Sequence, residues 1–178
     1  MPRIATSTGV RFPLVAACAL ALASTTPAAG AAGPAGLDRA ERAVIAKINR
    51  ERAASGLRRL RADDRLGRAA DAHSADMLAR NYFDHDTLGG SSWSARVGRY
   101  VRARALGEVI GRLWRSGGAR APGSSAEASR VVRLWMNSPP HRSVLLSRGL
   151  ARLGVARRAG GAPGGVQTLY TVDFASRR

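Results

Sequence analysis

Residues 149–157 read GLARLGVAR, residues 166–175 read VQTLYTVDFA, and AGGAPGG (159–165) lies between them. The second run is rich in β-branched and aromatic side chains, which suit a pleated, half-buried surface. In the first, Leu150, Leu153 and Val155 are the apolar residues. The Gly/Pro-rich stretch is a turn signal. Together the three predict a C-terminal β-hairpin, and this change of period decides the fold class.

Working back along the chain, the period is helical. Leu37, Ala40, Val44, Ile45 and Ile48 recur at spacings of three and four and form one apolar stripe over 37–54. Asp38 suits the N-cap and Gly56 the stop. A second helix is predicted over about 63–81, capped by Asp63 or Asp64, with Leu66, Ala70, His73 and Met77 on one face. NYFDHDTLGG (81–90) breaks the pattern and reads as an ordered loop. Residues 93–101 predict a short helix, 106–113 a strand or extended loop, and 115–124 a loop. Ser124 or Ser125 opens a third long helix with Ala128, Val131, Val132, Trp135 and Met136 on its inner face. Pro139 and Pro140 end it, because proline cannot continue the hydrogen-bond ladder. A helical turn is expected at 142–146. Helices first and strands last around one core predict an α+β domain with α-β-α layers.

The N-terminus has a different character. Arg3 and Arg11 precede the apolar run FPLVAACALALA (12–23), and Ala29-Gly30-Ala31 offers small residues for cleavage. That order is the signature of a secretory signal peptide. The run is short against the roughly 20 apolar residues of a spanning helix. The expected organisation is a signal peptide at 1–31, a linker at 32–36 and one domain at 37–178. Val15-Ala16-Ala17-Cys18 also resembles a lipobox, so an envelope lipoprotein tethered through Cys18 is the alternative to a secreted protein. Cys18 is the only cysteine. The domain after it therefore has no disulfide, no thiolate metal site and no cysteine nucleophile.

The formal net charge is +17, and Lys47 is the only lysine. The arginines are scattered along the chain and no aromatic-interleaved basic motif accompanies them. Nucleic acid is therefore not an expected partner. Non-specific attraction to an anionic envelope is compatible with this charge.

With three histidines in the chain, each can be weighed. His73 lies on the apolar stripe of the second helix and reads as a hydrogen-bonded core residue. His85 sits in a loop between Asp84 and Asp86, where functional residues concentrate. His141 follows Pro139-Pro140, a rigid segment that can aim a side chain. Glu108 stands in the apolar stretch ALGEVIGRL (105–113) as an exposed, paired or functional carboxylate.

Taken in order, INRERAASGLRRLRADDRLGRAADAHSADMLARNYFDHD (48–86), GEVI (107–110), VVRLWMNSPPHRSVLL (131–146), GLARLGVA (149–156) and LYTVDFA (169–175) resemble bacterial CAP domains. This is the superfamily of cysteine-rich secretory, antigen 5 and pathogenesis-related type one proteins, also called SCP-like extracellular proteins. The resemblance covers about residues 37–175. It implies a three-layer α-β-α sandwich with a central antiparallel sheet, and a cleft where His85, His141 and Glu108 converge. Some members bind a divalent metal through the two histidines. The resemblance therefore makes His85, His141 and Glu108 candidate metal ligands, with zinc suited to imidazole.

Three departures stand out. The usual Gly-Glu-Asn-Ile is Gly107-Glu108-Val109-Ile110, which removes a polar side chain expected beside the cleft. A second cleft glutamate of animal members is replaced by Ser138. The family's disulfides are absent. The expected function is a non-catalytic extracellular or envelope-associated binding module. Its partner would be a small ligand, a lipid or a cell-envelope component. The alternative is a metal-assisted hydrolase of peptide or peptidoglycan. There is no G-x-S-x-G elbow to support a serine hydrolase.

Overall fold

Asp38 accepts a hydrogen bond from the Glu41 amide, and Glu41 accepts one in return from the Asp38 amide. This capping box satisfies two orphan donors and opens helix α1, Arg39–Ala54. The computed structural model describes residues 36–116 and 123–177. The expected signal peptide, most of the linker and part of the loop expected at 115–124 lie outside them.

The remaining elements start in equally local ways. Asp63 accepts from the Arg65 and Leu66 amides and caps α2, Asp64–Ala79. Ser92 caps the short α3, Trp93–Gly98, and Ser124 caps α4, Ser125–Asn137. Prolines fill the first turn of α5, Pro139–Leu145, where a missing N–H costs nothing. The helical turn expected at 142–146 thus begins three residues earlier. The strands are β1 (Arg61–Ala62), β2 (Leu106–Ser116), β3 (Arg152–Ala162) and β4 (Gly165–Ala175). β2 extends into the region expected to be loop, as far as Ser116.

The sheet order is β1-β3-β4-β2. β4 pairs antiparallel with both β3 and β2, as the hairpin reading requires. The two-residue β1 adds to β3 in parallel, pairing Arg61 with Arg152 and Ala62 with Leu153, so the sheet is mixed. β4 is central and buried along nearly its whole length.

Alternation along β4 sorts the layers. Tyr170, Val172 and Phe174 face α1 and α4, where they join Val44, Ile48, Val131 and Trp135 in the main core. Leu169 faces the other way, with Met77 of α2 and Ile110 of β2. Ala175 packs with Leu66 and Val97 on that second side. The result is an α-β-α arrangement. Each fully buried aromatic or aliphatic side chain contributes roughly 1.5–3 kcal/mol.

Two glycines let helices approach the sheet. A Cβ on Gly154 would lie 2.0 Å from the Gly67 nitrogen of α2. One on Gly111 would lie 2.6 Å from a Val131 methyl of α4. Trp135 sits over that gap and donates from Nε1 to the Ile110 carbonyl at 2.8 Å. α1 is tied to the end of α5 by Arg52. Its buried guanidinium donates to the carbonyls of Leu145 (2.7 Å), Ser147 (3.0 Å) and Arg58 (3.0 Å).

Candidate functional site

Glu108 lies near the start of β2, the outer strand, and its side chain faces the α2 side of the sheet. Val109, next to it, points into the main apolar core. The departure from Gly-Glu-Asn-Ile therefore falls on the face of β2 opposite Glu108.

The loop after α2 carries His85 to Glu108. Asn81 takes a left-handed conformation (φ 51°) that turns the chain out of α2. His73, buried in α2, donates from Nε2 to the Asp84 carbonyl at 2.9 Å. The core histidine thus holds the residue next to His85. Asp84 accepts from the Asp86 amide at 3.0 Å, and Asp86 from the Trp93 amide at 2.8 Å. Both aspartates are spent on the loop, and neither hydrogen-bonds His85. From this loop His85 donates through Nδ1 to Glu108 Oε1 at 2.8 Å.

The other Glu108 oxygen is held by Arg96 of α3. Arg96 is buried and also donates to the Ala69 carbonyl at 3.4 Å. Its Nη1 stands 3.6 Å from Asp173 of β4, beyond hydrogen-bond reach. Asp173 is fully buried, and neither of its oxygens has a hydrogen-bond partner among the described residues.

His141, in the first turn of α5, completes the group. Its ring lies 6.5 Å from that of His85, centre to centre, at an interplanar angle of 28°. Its Nδ1 is 2.7 Å from Ser138 Oγ. Each of these two imidazoles therefore has Nδ1 engaged by a protein partner, and Nε2 is the ring nitrogen left over.

The electrostatics follow from this wiring. The hydrogen bond to Glu108 raises the His85 pKa, against the opposing effect of burial. Burial pushes Glu108 upward, but the His85 hydrogen bond and the Arg96 charge outweigh it and hold the carboxyl low. Asp173 is raised well above the usual range, by burial first and then by the Glu108 charge. Burial, and then the neighbouring His85, lower His141. The group thus pairs an imidazole biased toward its charged form with one biased toward neutrality.

The structure brings His85, Glu108 and His141 together and leaves His73 outside, in the core. Sequence reading missed Arg96 and Asp173, and it gave no role to Ser138 in holding His141. One signal was present: Asp173 is the only acidic residue in the run VQTLYTVDFA predicted to form a strand.

No group of three or more His, Cys, Asp or Glu among the described residues is arranged to hold a metal ion. Both oxygens of Glu108 are engaged, one by His85 and the other by Arg96.

The comparisons agree with this architecture. The model of the cysteine-rich secretory protein (CAP) family matches residues 45–174. The uncharacterized protein YkwD of Bacillus subtilis (strain 168) is 32% identical over 123 residues, 68% of this chain. The match takes in 44% of that protein, so this chain spans less than half the length of the curated relative. An outer surface protein of Borrelia burgdorferi superposes with a TM-score of 0.63 at 21% identity, over 78% of this chain and 93% of its own. An extracellular SCP-domain protein of Bacillus anthracis gives 0.58 at 26% identity, over 78% of this chain and 40% of its own.

Proposed function

The chain belongs to the cysteine-rich secretory protein (CAP) family, and from that premise we propose that it is a non-catalytic binding module working outside the cytoplasm. Its cleft between His85 and His141 receives a small ligand or a component of the cell envelope. An extracellular setting is supported by the export-signal pattern at 1–31 and by the extracellular Bacillus anthracis relative.

One observation carries the non-catalytic reading. Glu108, the cleft carboxylate, spends one oxygen on His85 and the other on Arg96. It orients an imidazole, as outer-shell carboxylates do, and with both oxygens engaged and its side chain buried it has little access to a water from which to take a proton. Asp173 lies beneath it, raised toward its neutral form by burial. The site has hydrogen-bonding imidazoles at its surface and a locked acid layer below, which suits recognition.

The metal-assisted hydrolase reading keeps one point in its favour. Nδ1 of both histidines is engaged, by Glu108 and Ser138, as in many metal-ligating histidines. A centre built from two histidines and Glu108 does not fit, because Glu108 would have to release His85 or Arg96 first.

Calorimetric zinc titration of wild type, His85→Ala and His141→Ala, with a peptidoglycan and peptide hydrolysis assay beside it, tests both readings. The binding-module reading expects no turnover with or without zinc. Zinc-dependent hydrolysis that disappears in both alanine variants would overturn it.

A further inference from the structure

The links from α1 to β1, from α3 to β2 and from α5 to β3 meet at one end of the sheet, and all of them are rich in arginine. Arg52 ties the first to the third, since it donates to the carbonyls of Arg58 and Ser147. The backbone ties in the second. The Arg61 amide donates to the Ala151 carbonyl, the Ala151 amide to Ala175, and the Ser176 amide to Ala105. Ser176 Oγ then accepts from the Arg104 amide at 3.1 Å. Chain segments therefore stand side by side from Arg61 to Arg104, in a row about 14 Å wide at the usual strand spacing.

Arg58, Arg59, Arg61, Arg102, Arg104 and Arg148 are exposed at this end. None of these side chains has a hydrogen bond or ion pair among the described residues. The acids brought near them are few. Asp63 is spent on the α2 N-cap and on Arg152, which donates from Nη1 at 2.5 Å. Asp64 is exposed beside it, and Glu51 lies on the last turn of α1. Glu108 and Asp173 are buried further along their strands and face Arg96. Other exposed arginines, such as Arg68, Arg130 and Arg133, stand on helix faces apart from the row. Along α2, Asp76 pairs with Arg80 and Asp71 with Arg158. The row also opposes like charges. Arg61 is the register partner of Arg152, an arrangement that destabilises a sheet and that a bound anion relieves.

These features select a ligand class. Guanidinium groups take phosphate through paired hydrogen bonds, and a row of them takes phosphates in series. No described residue of the links is a large, exposed apolar one that could enter a bilayer; Leu88, Trp114 and Leu134 lie elsewhere. Tyr100, the one aromatic in the links, packs against the cluster of Leu66 and Val97 and offers no platform for a nucleobase. We propose that this arginine row binds a linear phosphodiester polymer through its backbone alone, independently of His85 and His141.

A fluorescent abasic deoxyribose-phosphate oligomer is titrated into the purified protein and read by anisotropy over a salt series. It is expected to bind, with an affinity that falls steeply with salt as counterions are released. Arg58→Ser, Arg61→Ser and Arg104→Ser combined should weaken binding at least about tenfold and make the log–log salt slope shallower by about 2. Arg68→Ser, Arg130→Ser and Arg133→Ser combined remove the same charge from elsewhere and should cost about twofold or less. His85→Ala should cost nothing. Circular dichroism checks folding, and Arg59→Ser with Arg102→Ser reads the same row, with a smaller loss in the same direction, should the first combination not fold. The proposal is overturned if the oligomer does not bind, or if the two triple variants lose affinity equally. It is also overturned if vesicles of equal parts phosphatidylglycerol and phosphatidylcholine, or polyglutamate of equal charge, bind as tightly. Oligothymidylate of the same length binding more than about tenfold more tightly would overturn recognition through the backbone alone.

Discussion

Glu108 and Asp173 are register partners on adjacent strands, two buried carboxyl groups side by side with the Arg96 guanidinium reaching toward both. One guanidinium cannot balance two negative charges at that depth, so the pair divides the roles. Glu108, gripped from both sides, stays ionised, and Asp173 is driven toward its neutral acid.

Asp173→Asn therefore replaces a neutral group by a neutral group of the same size. A carboxyl whose folded pKa is raised contributes stability at low pH that is lost as pH rises through the folded value. The variant is expected to melt within a few degrees of wild type at neutral pH, and to lack the wild-type decline that runs from the unfolded carboxyl value, about 3.9, up to the raised folded one. Thermal melts across pH measure it. An unfolded Asp173→Asn would mean that Asp173 works as an anion.

His85 titrates in the opposite sense to an ordinary paired acid. Its folded pKa is raised by Glu108. The stability from this pair is complete below the unfolded histidine value, near 6.5, and fades as pH climbs through the folded one. Glu108→Gln should lower the His85 titration midpoint, followed by the imidazole NMR resonances. Glu108→Ala should do more harm. It strands the buried Arg96 charge, at roughly 3–5 kcal/mol.

Arg52 is a structural latch with no counterion among the described residues; its hydrogen bonds go to carbonyls. Arg52→Met keeps the apolar stem but leaves buried acceptors at the end of α5 unsatisfied. Urea unfolding should show a loss of roughly 3 kcal/mol. A loss under 1 kcal/mol would show that other donors replace it.

Gly154 exists to let α2 lie against β3. Gly154→Ala would press a methyl onto α2 backbone, and backbone cannot swing aside as a side chain can. Its expected cost is about 3 kcal/mol or more. Gly161→Ala, on the same strand with open space around it, is the matched control and should change stability little.

Much of this was legible before the structure. The α-β-α layering followed from the stripes of α1, α2 and α4 and the change of period at Gly149. Asp38, Asp63 and Ser124 marked helix starts because capping is local chemistry. His85 and His141 were identifiable because histidine is rare in this chain. Arg96 was not, because one arginine among so many carries no mark of burial, and its burial depends on the long-range closure of β2 on β4. Asp173 was hidden for a related reason. Its meaning comes from Glu108 across the ladder, and no local pattern reports a cross-strand neighbour. β1 was missed because two exposed residues hold no periodicity, and only pairing with β3 makes them a strand.

The central position of β4 also sets an order of events in folding. β2 and β3 do not pair with each other and are joined in the sheet through β4, which follows both in chain order. A growing chain that has not yet released Val172 and Phe174 cannot build the sheet, however much of it has been made. β3 and β4 are close in sequence and can close quickly, while β2 must arrive from far upstream and docks against a formed ribbon. The pairing of Glu108 with its strand neighbours is therefore made in the slow, long-range step, and a chain cut before β4 should possess neither a sheet nor the His85–Glu108–His141 group.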